Sequence, residues 1–352
     1  MSIFSDYYER SPSQGPAWHS KGNSTAADRR TLTSPLQMAV TIGSQTYFLT
    51  APIEIDLDVS ASWDVSSYAT AANRAGMQFY IYACQPTSGL APVILISANS
   101  TYPSGYTAAN SRKVGTFHCL CAGVGTISGH SLTGYLTGDI LPRSIQDLKH
   151  RPRAGFIRGL VWAGATAFDS LNGPQIWVAI YLASGTGGST ASAYAGTISD
   201  TRNWLDFVAD FSAIGCRLLR DHEFQSIAAG SNEETNISGS TDPGTTGGHV
   251  DTAGRRMVSN IGCEDCCGAS WQWLNEQSYK SPVTAGWGWY DLPGAKGSLY
   301  NYGGTAGDAD IKLIAGGYWI SGAYCGSRSR AAYYPRWYLT SDIGGRFAAE
   351  PA

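Results

Sequence analysis

The chain of 352 residues is long enough for two or three domains, and at 43% hydrophobic content each can bury a core. Only 14% of the residues are charged, against roughly 25% in typical soluble proteins. With a net charge of -3, nothing in the composition advertises an electrostatic footprint for nucleic acid.

Its 42 glycines, beside many serines and threonines, favour a loop-rich β protein over a helical one. Residues 1–35 are polar and read as an extended N-terminal arm, ordered only where something packs on it. The opening MSIFSDYYERSPS has neither a basic n-region nor an apolar h-region, so no secretion signal is expected. The longest apolar run, GLVWAGATAF at 159–168, is about half a membrane span. The expectation is a protein made in the cytosol, with no membrane insertion.

Strand signals begin near Leu36. MAVTIGSQTYFLT and IEIDLDVSASWDV alternate, separated by Ala51-Pro52, and MQFYIYACQ, APVILISAN and KVGTFHCLCAGVG follow. Residues 36–140 are therefore expected to form an all-β, sandwich-like or barrel-like domain serving attachment or oligomerisation. LPRSIQDLKHRPRAGF at 141–156 reads as a linker. Its cluster Lys149, His150, Arg151 and Arg153 is a solvated or interface patch rather than a nucleic-acid site.

The remainder, 157–352, has α+β grammar. QIWVAIYLA is a strand. In NWLDFVADFSAIG, Trp204, Phe207, Val208, Phe211 and Ile214 share one helical face, with Asn203 as N-cap and Gly215 just past the end. DHEFQSIAAG repeats the pattern with Asp221 as cap and Gly230 as stop. SNEETNISGSTDPGTTGGHVD is a long loop, SWQWLNEQ and IKLIAGG are strands, and Phe347 falls in a last one. No internal repeat is present.

The eight cysteines are expected as reduced, buried thiols. CEDCC at 263–267 offers one pair at zinc-like spacing, through Cys263 and Cys266 or Cys267, but no second pair follows, and a structural zinc usually needs four ligands. Asp308 and Asp310 in GDAD read as solvated turn residues rather than a calcium loop. There is no nucleophile elbow, phosphate-binding loop or His-Glu-x-x-His, and the six histidines are scattered. No cofactor and no required metal are expected.

Five segments of the second half, taken in order, resemble the C-type lectin fold in its formylglycine-generating-enzyme-like branch. GCRLLRDHEFQSIAAG (215–230) resembles Gly-x-Arg-Leu-Pro-Thr-x-x-Glu-Trp-Glu-x-Ala-Ala-x-Gly, departing at Leu219 and Phe224. GASWQWLNE resembles Gly-Asn-Val-Trp-Glu-Trp, and AGGYW resembles Arg-Gly-Gly-Ser-Trp. GSRSR resembles the arginine-rich segment that follows, and IGGRF the terminal Ile-Gly-Phe-Arg. The N-terminal half rests on its strand pattern alone.

That branch has an oxidase class, which uses two cysteines just after the Gly-Gly motif. Here Ser321 stands at the first position and only Cys325 lies near the second, so paired thiolates for a soft metal are missing and no enzyme is expected. The other class comprises the variable proteins of diversity-generating retroelements, which include phage major tropism determinants. In these, adenine-directed mutagenesis rewrites Asn codons near the C-terminus. Tyr318, Ile320, Ser321, Tyr324, Ala331, Tyr333, Tyr334, Pro335, Tyr338, Thr340 and Asp342 are all reachable from such codons, and no Asn follows Asn301. The resemblance thus marks 318–342 as a variable ligand-binding region. Trp319, Gly322, Cys325, Gly326, Arg328, Arg330, Trp337 and Leu339 look fixed.

Tyrosines give large, rigid contact area at low entropic cost, so they are expected to be exposed as a recognition surface. Trp319 and Trp337 are expected in the core. Gly316, Gly317, Gly344 and Gly345 are expected to supply tight turns, and Arg328 and Arg346 to hold loops.

The resemblance implies a receptor-binding adhesin of a phage tail, borne on the virion as a homotrimer with other tail proteins, contacting a host cell-surface receptor. The alternative is a structural fibre or decoration protein, with Tyr333, Tyr334 and Tyr338 buried between subunits.

Overall fold

The computed structural model describes residues 18–22, 24–35, 38–146, 154–160, 175–278, 286–291, 298–303 and 311–350. The basic cluster at 149–153, Asp308 and Asp310, and most of the apolar run 159–168 lie outside them. The described residues divide into two compact units, one up to Arg158 and one made of 159–160 and 175–350. Most regular structure is β, with few helices. No helix among the described residues is long and apolar enough to cross a membrane.

Among the described residues, the first unit holds three small antiparallel sheets. Strands β1 (His19–Ser20), β2 (Thr31–Thr33) and β5 (Glu54–Asp56) make one, in the order β1-β2-β5. Strands β3 (Met38–Ile42) and β4 (Gln45–Leu49) are a hairpin, with Ile42 facing Gln45 across Gly43-Ser44. The alternating run MAVTIGSQTYFLT is therefore two strands. Gly43, at φ 62°, takes the left-handed conformation that a two-residue hairpin turn demands.

In the third sheet, β6 (Gln78–Cys84) runs between β7 (Val93–Ser97) and β8 (Ser111–His118). Phe79, Ile81, Ile96 and Phe117 pack there with Leu32, Val40, Leu57 and Trp63. Trp18, inside the polar stretch 1–35, is fully buried in the same core, and its indole Nε1 donates to the Val114 carbonyl at 3.1 Å. Gly115 makes room for it, since a Cβ there would lie 2.8 Å from Trp18 Cδ1.

The second unit follows strand β9 (Phe156–Leu160). Strand β10 (Gln175–Ala179) leads to the short pair β11 (Ala183–Ser184) and β12 (Ala191–Ser192). Helix α1 (Trp204–Ala213) and helix α2 (Asp221–Ile227) flank β13 (Arg217–Leu218). The N-cap of α1 is Asn203, whose side chain accepts from Asp206 N while Asp206 returns a bond to Asn203 N. Past its end Gly215 has φ 65°. The N-cap of α2 is Arg220, with Asp221 already inside the helix; Glu223 accepts from Arg220 N and pairs with Arg217.

Strand β14 (Trp271–Ser278) is followed by the hairpin β15 (Gly286–Asp291) and β16 (Ser298–Gly303). Strands β17 (Ile311–Gly316), β18 (Gly326–Pro335), β19 (Ile343–Gly345) and β20 (Phe347–Ala349) complete the chain. One sheet has the order β18-β17-β14-β19; in another, β20 lies between β13 and β10. The last two strands thus belong to different sheets, and the chain changes sheet at Arg346.

Candidate functional site

The support for the C-terminal stretch is built around Arg346, which is fully buried. Its guanidinium donates to Gln272 Oε1 at 3.1 Å, to the Ala179 carbonyl at 2.8 Å, and to the carbonyls of Ile180 at 2.5 Å and Glu264. One side chain thereby ties β14, the end of β10 and the long 229–270 loop together. Gly344 and Gly345 are not turn residues but strand residues. A Cβ on Gly345 would lie 2.8 Å from Phe207 Cδ1, so glycine here admits α1 against the sheet.

The stretch leaves this support as an exposed loop after β17. Gly316 and Gly317 have φ 98° and 84°, and a Cβ on Gly316 would sit 2.5 Å from the Cys266 carbonyl oxygen. Both conformation and space require glycine there. Ser321 Oγ accepts from Tyr318 N, and Ser321 N donates to the Tyr318 carbonyl. Where the oxidase pattern has a cysteine, the hydroxyl therefore shapes the loop. The buried Cys325 thiol points to the Tyr318 carbonyl, and burial pushes it up to about 12, far from a reactive thiolate.

Trp319 packs on Ile237, Met257 and Ala269, its carbonyl receives a bond from Asn236 Nδ2, and the Tyr318 ring meets its edge at 5.2 Å. Outward stand Ile320, 59% exposed, and Tyr324, 81% exposed. Glu233 closes the loop by accepting from Ser327 N and Oγ at 3.0 and 2.6 Å.

Strand β18 then runs back along β17. Its ten residues face only six, because the register slips between Ala315 and Gly316 and between Lys312 and Ile314. These bulges destroy the period of two. Within them Arg330, not Arg328, holds the backbone. It pairs with Asp221, donates to the carbonyls of Ser327 and Ser329, and lies over the Phe224 ring at 5.0 Å. Arg328 is exposed.

Ala331, opposite Ile314, and Pro335, opposite Ile311, are buried, so neither can touch a ligand in this fold. That corrects the expectation for both, since codon reachability carries no information on orientation. Tyr333 lies on β18, and its side chain is outside the described set.

The second exposed group follows at once. Tyr334 and Tyr338 stack at 4.3 Å between ring centroids. Trp337, expected in the core, is 56% exposed at the tip of the turn, and Leu339 beside it is 55% exposed. Tyr338 N donates to the Pro335 carbonyl, Trp204 N to Arg336 and Thr201 N to Thr340, so the turn is held on both sides by backbone bonds. Thr340 Oγ1 accepts from Asp342 N, and the Asp342 carbonyl receives Trp271 N and Ser270 Oγ.

The site is thus two exposed groups, Ile320 with Tyr324 and Trp337 to Leu339, at opposite ends of β18. Between them runs the six-residue strand β17, about 17 Å long. Sequence reasoning took Leu339 as a fixed residue only, missed Glu233 and misplaced Trp337. The exposed pair flanks Tyr338, one of the tyrosines expected at the surface, and that adjacency was the available signal.

Residues 23–147 match the family model described as the Mtd second domain. Over 291 residues the chain is 29% identical to the tail fiber receptor-binding protein of Bordetella phage BPP-1, covering 74% of this chain and 68% of that one. Solved structures of the Major Tropism Determinant U1 and M1 variants superpose with a TM-score of 0.66 over 97% of this chain, at 24% identity, and cover 85% and 84% of theirs. The chain resembles the major tropism determinants. The tropism-determinant likeness accounts for the mostly β fold with a C-type lectin-like second unit, in which Arg346 and the paired glycines carry the C-terminal stretch.

Proposed function

We propose that this chain is a receptor-binding adhesin of a phage tail, which displays a diversified ligand-binding surface on its C-type lectin-like unit to recognise a host cell. The observation that carries the reading is the contrast at 318–342. Ile320, Tyr324, Trp337, Tyr338 and Leu339 face solvent, while the backbone beneath them is fixed by buried groups. Exposed aromatics on a backbone held in place suit recognition, because little freedom is lost on binding.

In this reading Tyr318, Ile320, Ser321, Tyr324, Tyr334, Tyr338, Thr340 and Asp342 vary, and Trp337 and Leu339 add fixed apolar contact. The first unit attaches to other tail proteins and the chain assembles as a homotrimer on the virion. Several weak sites on one particle raise avidity by roughly 10²–10⁴. No catalytic step is part of the reading.

The test is the DNA beside the gene. A near-copy of the 3′ end carrying AAC at the codons for Tyr318, Tyr324 and Tyr338, next to a reverse-transcriptase gene, is expected. Absence of both would sink the diversified surface and favour a fixed structural fibre, with the exposed aromatics covered between subunits.

A further inference from the structure

Helix α1 presents one side chain that neither its core face nor its cap accounts for. Its buried residues are Phe207, Asp210 and Phe211. Leu205 stands two residues before Phe207, about 200° round the helix, and so on the opposite side. It is 46% exposed and is the one large apolar residue of α1 in solvent. One and two turns further along the same side stand Ala209 and Ser212, both exposed and small. An apolar side chain is therefore set in water only at the N-terminal end of the helix. A single exposed leucine needs no explanation by itself, so its surroundings decide.

The surroundings are the display turn. Trp204 N donates to the Arg336 carbonyl at 3.0 Å and Thr201 N to the Thr340 carbonyl at 2.9 Å, so the start of α1 and the turn 336–340 are stitched backbone to backbone. Leu205 and Trp337 each follow a member of the first bonded pair by one residue. Helical side chains lean toward the N-terminus, which carries that of Leu205 back toward the turn. Trp204 makes the placement rigid. Its Nε1 donates to the Leu274 carbonyl of β14 at 2.8 Å, and the Lys312 ammonium of β17 lies 4.3 Å from its ring centroid. The charges on this end of α1 are engaged with one another or with the cap: Asp206 accepts from Asn203 N, and Arg202 pairs with Asp210 at 2.8 Å. What α1 adds to the surface beside the exposed Trp337 and Leu339 is apolar area rather than charge.

We propose that Leu205 is a fixed contact residue of the recognition surface, forming with Trp337 and Leu339 an apolar anchor for an apolar patch on the host receptor, and that Trp204 is the residue that positions it. The proposal rests on the recognition reading above. Its occupant follows from continuity: a partner that contacts Tyr338 lies over the turn 336–340, and the turn carries Leu205 at its side. Leu205 lies outside 318–342, so diversification leaves it untouched. Every variant would keep the anchor as a common share of its binding, while the changing tyrosines discriminate between receptors.

The test is equilibrium binding of the purified full-length protein to intact host cells, beside urea unfolding and sedimentation velocity. Leu205→Asp is expected to weaken binding roughly tenfold or more, because a carboxylate must then be desolvated against an apolar partner. A carboxylate in the first turn favours the helix, so the unfolding midpoint should hold. Ala209→Asp places the same charge one turn away and should bind as the wild type does. Leu205→Ala, which adds no charge, should weaken binding in the same direction, and it decides where the charged variant fails to fold. Wild-type binding by both Leu205 variants, with Tyr324→Ala weakened, would overturn the proposal and leave the recognition reading standing; wild-type binding by all of them would overturn both. Equal losses in Leu205→Asp and Ala209→Asp would overturn it as an effect of charge alone. A changed sedimentation coefficient in Leu205→Asp would overturn it by assigning the anchor to contact between copies of the chain.

Discussion

Arg346 donates to the side-chain oxygen of Gln272 across 3.1 Å in the fully buried centre of the second unit, and its remaining donors take three backbone carbonyls. The residue stands between β19 and β20, where the chain passes from one sheet to another. Arg346→Ala would leave Gln272 Oε1 and the Glu264 carbonyl buried without this donor, while the Ile180 carbonyl keeps Glu264 N at 2.8 Å and the Ala179 carbonyl keeps the Cys263 thiol. At roughly 1–3 kcal/mol for each orphaned group, a loss of about 4 kcal/mol is expected. Arg346→Lys keeps a charge but not the planar fork, and should cost about half as much. Urea unfolding followed by tryptophan fluorescence measures both; equal losses would mean that charge, not geometry, is what matters.

Two left-handed glycines close to each other in sequence separate conformation from space. Gly316, at φ 98°, faces the Cys266 carbonyl oxygen at 2.5 Å from an added Cβ, whereas Gly322, at φ 54°, faces nothing within 4 Å. Gly322→Ala is expected to cost only the backbone term, about 1 kcal/mol. Gly316→Ala adds a clash with backbone that cannot swing away, and about 3 kcal/mol is expected. Comparable unfolding midpoints for the two variants would refute the close approach at Gly316.

Much of the second unit is legible in the sequence. Phe207, Phe211 and Phe224 fall on helical faces because a helix covering a core repeats every 3.6 residues, and both helices lie where that period places them. The hairpin at 38–49 is hidden because a two-residue turn does not interrupt alternation. Strand β18 is hidden for the opposite reason: its bulges insert residues that face nothing on β17, so the run from Gly326 to Pro335 shows no period. Burial at Ala331 follows from that register and exposure at Trp337 from the turn after Pro335, and neither residue type announces it. The supports Glu233 and Asn236 are equally silent, since the Ser327 and Trp319 groups they bond lie 94 and 83 residues away in sequence.

Exposure sets a sharp contrast within the display region. Tyr324 is 81% exposed, so Tyr324→Ala should alter stability by no more than about 0.5 kcal/mol. If it is a contact residue, binding of the purified protein to host cells should fall by about 2 kcal/mol, roughly thirtyfold. Unchanged binding in this variant and in Trp337→Ala would remove both exposed groups from the recognition surface.

Ala331 predicts the reverse. It is buried opposite Ile314, and a tyrosine there, one codon family away in the diversification scheme, has no space. Ala331→Tyr should destabilise the second unit by about 1–3 kcal/mol through overpacking. A fully stable variant would return residue 331 to the display set.

The first unit carries a pH dependence of its own. His118, at the end of β8, is buried, its Nδ1 lies 3.2 Å from Gln78 Oε1, and burial pushes its pKa down to about 3. The unfolded chain takes up the proton near pH 6.5, whereas the folded unit refuses it until about pH 3. Across that window the unfolded state binds more protons, so stability falls as pH drops. The slope attributable to His118 approaches about 1.4 kcal/mol per pH unit and vanishes below the folded value. His118→Gln removes the titration, so the difference in unfolding free energy between wild type and variant should shrink or reverse from pH 7 to pH 4. A difference that stays constant over that range would mean that His118 takes up its proton as readily in the folded unit as in the unfolded chain.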